Sequence, residues 1–553
     1  MDRPWLISYP KGINADIDIH KFNSVVEIFE HSVKTYSDRP AFSNFGKSLT
    51  YSEFERATNA LAAYLQQTLK LEKGDRVAIM MPNLLQNPVS IFAVLRAGLT
   101  VVNTNPLYTA RELRHQLKDS GAKAIIVVEN FAHTVETVLA DTEVEHVIVT
   151  KMGDMLDFPK SMLINVVVKY IKKMVPGHTL PAAIPFKTAL SEGSNLKLEI
   201  TPLTHEDIAF LQYTGGTTGV AKGAILTHKN MVANMLQASE WIKNDIVPGS
   251  EVIITALPLY HIFSLTANCL VFMNAGAHNI LITNPRDFKG FIAELKKTHF
   301  TAITGVNTLF NALLNTEGFT DIDFSALKLT LGGGMSVQPA VAAQWKKLTH
   351  CTLIEAFGLT ETSPAVCINP LNLKDYNGSI GLPISSTYCQ LIDLDGNTVT
   401  DGEPGELCVK GPQVMKGYWN RPEETTNAFT KDGWLKTGDV AKMDGNGFFY
   451  IVDRIKDMIL VSGFNVYPNE IESVIVEHKG VLECGVIGVP DENRGEAVKA
   501  FVVKKDESLT EVELLNFCKK QLTGYKTPDK IVFINDLPKT NVGKVLRREL
   551  RSL

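Results

Sequence analysis

The 553-residue chain lacks the marks of several protein classes at once. It has no surplus of positive charge: 55 lysines and arginines against 60 acids leave a formal net charge of -5. The basic stripe that nucleic acid requires is therefore missing. It has no C-x-x-C pair. The seven cysteines (Cys269, Cys351, Cys367, Cys389, Cys408, Cys484 and Cys518) are odd in number and scattered. That pattern argues against a disulfide framework or a zinc site and for a reducing compartment. No window offers about 18 uninterrupted apolar residues, so no segment is expected to span a bilayer. The opening "MDRPWLISYPKGINADIDIH" lacks a charged n-region ahead of an apolar stretch and does not read as a secretory signal. The expected location is the cytoplasm, or at most the surface of a membrane. Low-complexity tracts and internal repeats are missing too, and 45% apolar with 21% charged residues is an ordinary globular composition.

What is present is a long alternation of short apolar runs with helix-like segments. Residues 76–83, 123–130, 251–258, 301–307, 327–334 and 351–358 read as buried strands, and 285–299 as an amphipathic stretch between two of them. The pattern predicts an α/β fold with parallel sheets covered on both faces, where ligands bind beyond the carboxyl ends of the strands. After about residue 370 glycine-punctuated hairpins take over. The last hundred residues read as strand, strand, helix and strand, a small α+β unit. The expected organisation is a large domain over 1–454, including a β-rich subdomain over about 370–454, and a mobile C-terminal domain over 455–553. The chain is too long for one hydrophobic core.

The most unusual stretch is "YTGGTTGVAKG", Tyr213 to Gly223. It does not fit the phosphate-loop pattern G-x-x-x-x-G-K-[ST], because Lys222 precedes Gly223. Its composition still suits phosphate. Glycines allow consecutive backbone N–H groups to turn inward as an anion nest, the hydroxyls of Thr214, Thr217 and Thr218 add donors, and Lys222 adds charge.

This stretch resembles the signature loop of the adenylate-forming superfamily, which includes acyl-CoA synthetases, luciferases and peptide-synthetase adenylation domains. Ala221 stands where proline is usual. Five further motifs follow in the family's order: "GGG" (332–334), "FGLTET" (357–362), "GWLKTGD" (433–439), "DRIKDMILVSGFNVYPNEIE" (453–472) and "LPKTNVGKVLRREL" (537–550). The resemblance covers essentially the full length and is closest to bacterial long-chain fatty-acid–CoA ligases.

The resemblance implies roles by position. Tyr213, Thr214, Gly215, Gly216, Thr217, Thr218, Gly219, Lys222 and Gly223 would cradle the ATP phosphates. Gly333 and Gly334 would let backbone approach the adenine, with the Phe357 ring and Gly358 beside it. Thr360 would reach the phosphate and Glu361 would hold Mg²⁺, for which a carboxylate is a suitable hard ligand. Asp439 and Arg454 would bind the ribose, Lys456 would be the hinge, Lys544 the catalytic cation, and Gly463 would border the coenzyme A thread. His261, in an apolar run bordering the acyl site, is a candidate positioning residue or gate. Trp241 is a candidate for the acyl entrance. With Glu361, Lys544 and Thr214, His261 completes the expected catalytic set.

The acid substrate can be argued from the residues themselves. From Val252 to Pro285 there is no Asp, Glu, Lys or Arg. An amino-acid substrate would bring an ammonium needing a counter-charge, which costs several kcal/mol when missing. An alkyl chain needs none. The expected substrates are a fatty acid, ATP and coenzyme A, since no carrier domain has room after Leu553. A stand-alone fatty acyl-AMP ligase and a medium-chain synthetase remain alternatives, and a homo-oligomer is compatible with the sequence.

One segment stands outside this scheme. Residues 158–177 hold four lysines and no acid. Wound as a helix, Ser161, Asn165, Lys169, Lys172 and Lys173 share one face, opposite Leu163, Ile164, Val167, Val168 and Ile171. Two readings stay open: a surface helix docked by its apolar face, or an amphipathic helix in a membrane interface.

Overall fold

The structure is a computed structural model that describes residues 3–214, 221–393, 395–399, 402–462, 464–491, 494–539 and 545–553. Its described residues form four sheets. In the first, Ile184–Pro185, His146–Thr150, Ala122–Val128, Arg76–Met80, Thr100–Thr104 and Ile208–Thr214 run parallel, and Lys222–Thr227 closes the edge antiparallel. In the second, Leu353–Gly358, Leu329–Gly332, Ala302–Gly305, Val252–Thr255, His278–Leu281 and Pro40–Asn44 run parallel between antiparallel edge strands. The apolar runs of the sequence become these strands for a physical reason. Thr100–Thr104 is buried at every position and Ala122–Val128 at all but one, because helices cover both faces.

The covering helices start where side chains can satisfy free N–H groups. Thr50 with Glu53 and Thr109 with Glu112 form reciprocal capping boxes at the helices Tyr51–Gln67 and Ala110–Ser120. Thr227 and Asn230 do the same for His228–Ile242, which lies almost wholly in the core.

The third sheet is an antiparallel meander of Tyr388–Ile392, Gly405–Lys410, Leu435–Met443 and Phe449–Arg454. The fourth belongs to the C-terminal lobe. There Val481–Asp491 and Gly495–Lys504 form a long hairpin flanked by Ile459–Val461, Phe464–Val466 and Lys530–Phe533, with the helices Pro468–Val476 and Glu511–Gln521 packed against it. This lobe has its own core, including Ile471, Ile475, Val498, Val502 and Leu514.

The carboxyl ends of the parallel strands, the meander and the lobe enclose a cavity of about 1230 Å³. That is the position expected for a ligand site in such sheets.

Candidate active site

The described ends of the glycine- and threonine-rich stretch lie on two paired strands. Tyr213 pairs with Gly223 and Thr214 with Lys222 across the strands Ile208–Thr214 and Lys222–Thr227. Gly215, Gly216, Thr217, Thr218 and Gly219 lie outside the described residues. The arms are fixed from both sides. The Tyr213 ring lies so close over Gly223 that a Cβ there would stand 3.1 Å from it, which explains the glycine. The Tyr213 hydroxyl donates to Asp119 Oδ2 at 2.7 Å, and Arg421 donates to Asp119 Oδ1 at 2.6 Å. Asp119 sits in the last turn of its helix, where the helix dipole disfavours a negative charge. Arg421 offsets that charge.

Along the other arm, the Trp419 N–H donates to the Gly223 carbonyl at 2.8 Å and the Ile225 N–H to the Gly417 carbonyl at 2.9 Å. The segment 416–419 thus runs beside the hairpin and carries Tyr418 into the site. The Tyr418 hydroxyl donates to Glu361 Oε1 at 2.7 Å, and Lys222 Nζ stands 4.7 Å from the centre of the same ring. Burial, and then the adjacent Glu361 charge, push the Tyr418 phenol well above its usual range, so it stays a donor. A second tie, from the Met415 N–H to the Glu361 carbonyl at 2.8 Å, fixes the backbone.

Thr214, Lys222, Phe357, Gly358, Thr360 and Glu361 all line the cavity. Gly333 and Gly334 line it from the turn after the strand Leu329–Gly332, and Gly334 has φ +76°, a conformation that favours glycine. Tyr418, Asp119 and Arg421 were not found by sequence reasoning. Tyr418 lies in "KGYWNRPEE" (416–424), whose aromatic pair among polar residues was the available signal. Asp119 and Arg421 are 302 positions apart and gave no local signal.

At the far side, Asp439 and Arg454 face each other across adjacent strands, with Arg454 Nε 2.8 Å from Asp439 Oδ1. Asp439 is buried, while Thr437, Arg454 and Lys456 reach the cavity. Burial, and then the neighbouring Arg454, hold the Lys456 ammonium below its ordinary pKa.

Allegiance changes between adjacent residues here. Arg454 is bound to the large domain. Asp453 instead accepts the Asn469 N–H at 2.7 Å and lies 3.8 Å from Arg547, both in the lobe. Arg547 also engages Glu472 at 2.9 Å and Asp457 at 3.3 Å. Burial raises the Asp453 carboxyl to about 6 despite Arg547.

The lobe presents Lys539, Val545, Leu546, Arg548 and Glu549 to the cavity. These flank Lys544 on both sides, although Lys544 lies outside the described residues, as does Gly463. Ser462 and Phe464, beside Gly463, are not among the lining residues. Phe464 instead stacks on Tyr525 with ring centres 4.7 Å apart.

The remaining wall is apolar. Ala238, Ile242, Leu257, Ile262, Phe263 and Phe272 contribute to it, and no acid occurs between Leu257 and Phe272. His261 lines the cavity, and its Nδ1 accepts the Phe263 N–H at 3.3 Å, so the ring caps the short helix Ile262–Ser264. Trp241 is not at the entrance. It is a core residue whose indole donates to the Asn369 carbonyl at 3.2 Å, while Ala238 and Ile242 of the same helix face the cavity. Ile242 is the next residue after Trp241 and so lies about 100° further round the helix axis.

The AMP-binding enzyme family matches residues 29–419, and the AMP-binding enzyme C-terminal domain matches 470–544. A long-chain-fatty-acid–CoA ligase of Escherichia coli O157:H7 is 58% identical over 551 residues, covering 100% of this chain and 98% of the relative. One of Yersinia pestis is 59% identical with the same coverage. Among solved structures, ATP-bound MatB from Rhodopseudomonas palustris superimposes with a TM-score of 0.82 at 27% identity, covering 96% of this chain and 99% of that one. On the site, the fold and these full-length similarities together, the chain belongs to the AMP-binding, adenylate-forming enzyme family.

Proposed function

We propose that the protein is a long-chain fatty-acid–CoA ligase, converting ATP, a fatty acid and coenzyme A to acyl-CoA, AMP and diphosphate through an acyl-adenylate. The observation that carries this reading is the continuity of one cavity from the Lys222–Glu361 wall to the acid-free wall at Leu257–Phe272. A carboxylate can thus meet a nucleotide phosphate while its alkyl chain leaves water, at a gain of about 0.8 kcal/mol per CH₂.

In the first step the fatty carboxylate attacks the α-phosphorus and diphosphate leaves. Catalysis is then mainly positioning and stabilisation of negative charge. Thr214, Lys222 and the residues between them hold the phosphates, Thr360 donates to them, and Lys544 approaches from the lobe. Arg454, paired with Asp439, addresses the ribose, and His261 bounds the acyl carboxyl.

Mg²⁺ fits this site. Glu361 is a cavity-lining carboxylate kept in place by Tyr418, and no cluster of three or more metal-ligating side chains exists among the described residues. A single carboxylate completed by substrate phosphates suits a small hard cation. When bound there, Mg²⁺ would neutralise charge on the leaving diphosphate.

In the second step the lobe turns at Lys456, withdrawing Lys544 and bringing the 461–465 loop to the acyl-adenylate for attack by the coenzyme A sulfur, with AMP leaving.

The test is a chain-length series of fatty acids offered to the purified protein with ATP, with and without coenzyme A. Thioester formation peaking at long chains is expected. Diphosphate release that ignores coenzyme A would replace this reading with an acyl-AMP ligase. A peak at six to ten carbons, about the medium-chain range, would replace the substrate class.

A further inference from the structure

The helix Lys160–Val166 and the π turn Val167–Ile171 that continues it are docked the reverse of an ordinary surface helix. Its polar side faces the protein, with Ile164 of the apolar set packed against the core beside it and Val167 and Val168 half-buried. Ser161 is buried, with Lys187 Nζ 3.3 Å from its hydroxyl. Asn165 Oδ1 accepts the Gly153 N–H at 2.8 Å, and Lys169 pairs with Glu129 at 2.6 Å. Helix and support are in close contact: a Cβ on Gly153 would lie 2.5 Å from the Ser161 carbonyl oxygen.

The apolar side faces outward. Phe158 is 82% exposed, Ile171 69%, Tyr170 68%, Leu163 55% and Met162 53%. Seven of the seventeen exposed large apolar side chains among the described residues fall between Phe158 and Met174. A docked amphipathic helix hides such residues, so this patch is built to meet something apolar.

Charge identifies the occupant. Lys160, Lys172 and Lys173 are exposed around the patch, and no acid lies between Pro159 and Pro176. Of the adjacent acids, Glu129 pairs with Lys169 and Asp157 with Lys47 at 3.0 Å, while Asp154 accepts the Lys151 N–H at 2.7 Å. Apolar side chains ringed by unopposed lysines complement an anionic lipid surface. The segment also follows the carboxyl end of the strand His146–Thr150. Lys160 lies against the turn after Pro40–Asn44, where Phe45 is exposed. Both strands run parallel to others whose carboxyl ends line the cavity, although neither contributes a lining residue itself. No helix among the described residues is long and apolar enough to cross a membrane.

We propose that Phe158–Met174 is an interfacial segment that seats the protein on an anionic bilayer with this side toward the lipid. The inference does not rest on the ligase reading, because the test involves no turnover. The full chain is floated with vesicles of phosphatidylcholine alone or with about a third phosphatidylglycerol. Binding to the anionic vesicles is expected, at least tenfold stronger than to the neutral ones. Lys160→Glu, Lys172→Glu and Lys173→Glu together should weaken it roughly a hundredfold, and added salt should mimic them. Leu163→Ser, Tyr170→Ser and Ile171→Ser together should abolish binding at any salt while leaving thermal unfolding unchanged. Wild-type protein that stays with the neutral fraction, or binding indifferent to both triple variants, overturns the proposal. So does a wild-type dimer that the serine variant converts to monomer without any lipid binding, which would make a second copy the occupant.

Discussion

The two walls of the cavity are held in different ways. The large-domain wall is bound by groups far apart in the chain. Tyr213 and Arg421 converge on Asp119, Tyr418 grips Glu361, and backbone hydrogen bonds join 223–225 to 416–419. The lobe wall brings Lys539, Leu546 and Arg548 to the same space, but its strongest electrostatic cluster, Arg547 with Glu472, Asp457 and Asp453, serves the lobe and its pivot. On the proposed mechanism, the groups that would stay with the phosphates through both steps are those locked by contacts between distant segments. The groups that would serve one step belong to a unit with its own core. The change at Asp453 and Arg454, one residue gripping the lobe and the next the large domain, marks where such a unit can turn.

The comparison breaks most visibly at Glu361. Glu361→Gln keeps the shape and removes the charge, so fatty-acid-dependent exchange of diphosphate into ATP should fall about 10³-fold. Retention of more than a tenth of the exchange would separate Glu361 from the reaction. The lobe wall should fail differently. Lys544→Ala should cost adenylation roughly 10²-fold yet leave thioester formation from supplied acyl-AMP near wild type. Lys456→Pro, which stiffens the pivot, should spare adenylation and impair the thioester step. Equal loss of both half-reactions in either variant would refute the assignment of one step to each pose.

This asymmetry also governs what could be read from sequence. The strands were legible because burial on both faces leaves continuous apolar runs such as "KAIIVV". The cavity positions of Thr214, Lys222, Thr360, Glu361, Arg454 and Lys456 were legible because each sits in a short motif with fixed local spacing. Asp119, Arg421 and Tyr418 were not, since their meaning arises only when the hairpin, a helix end and the 416–419 segment meet. Trp241 shows the same limit in reverse: its composition suits an acyl entrance, but the rotation of its helix points it into the core. The helix at 160–171 was legible as amphipathic, while the direction in which it faced depended on Glu129, Gly153 and Lys187.

Tyr418→Phe sharpens the fixed side of the comparison by removing one hydrogen bond and nothing else. A hydrogen bond to a charged group contributes about 1.5–3 kcal/mol. Because the carboxylate and Lys222 remain, we expect roughly a tenfold fall in kcat/KM. Positioning predicts a further signature: the Mg²⁺ concentration giving half-maximal rate should rise, and the KM for the fatty acid should not. An unchanged Mg²⁺ dependence would reduce Tyr418 to packing.

The smallest effect concerns how the adenine-side turn is attached. Glu355 lies on the strand that carries Phe357, and it is almost fully buried beside Tyr376. The Tyr376 hydroxyl stands 2.7 Å from Glu355 Oε2 and 2.6 Å from the Val337 carbonyl, two acceptors for one hydrogen. The conflict resolves when Glu355 is protonated and donates to Tyr376, which then donates to Val337. Burial pushes the carboxyl up to about 8, in agreement with that arrangement. A carboxyl whose pKa is higher folded than unfolded contributes stability that is complete below the unfolded value, 4.5, and is lost as pH rises toward 8. Each pH unit in that window should cost about 1.4 kcal/mol from this group. Glu355→Gln keeps a donor and an acceptor but cannot ionise. Its Tm should therefore fall less steeply than wild type between pH 6 and 8, by roughly 1–3 °C per unit. The KM for ATP should rise in wild type above about pH 8, as the 333–338 turn loses its clasp, and stay level in the variant. Parallel Tm profiles for the two proteins would mean that Glu355 is ionised throughout and that the clasp on the turn does not depend on its protonation.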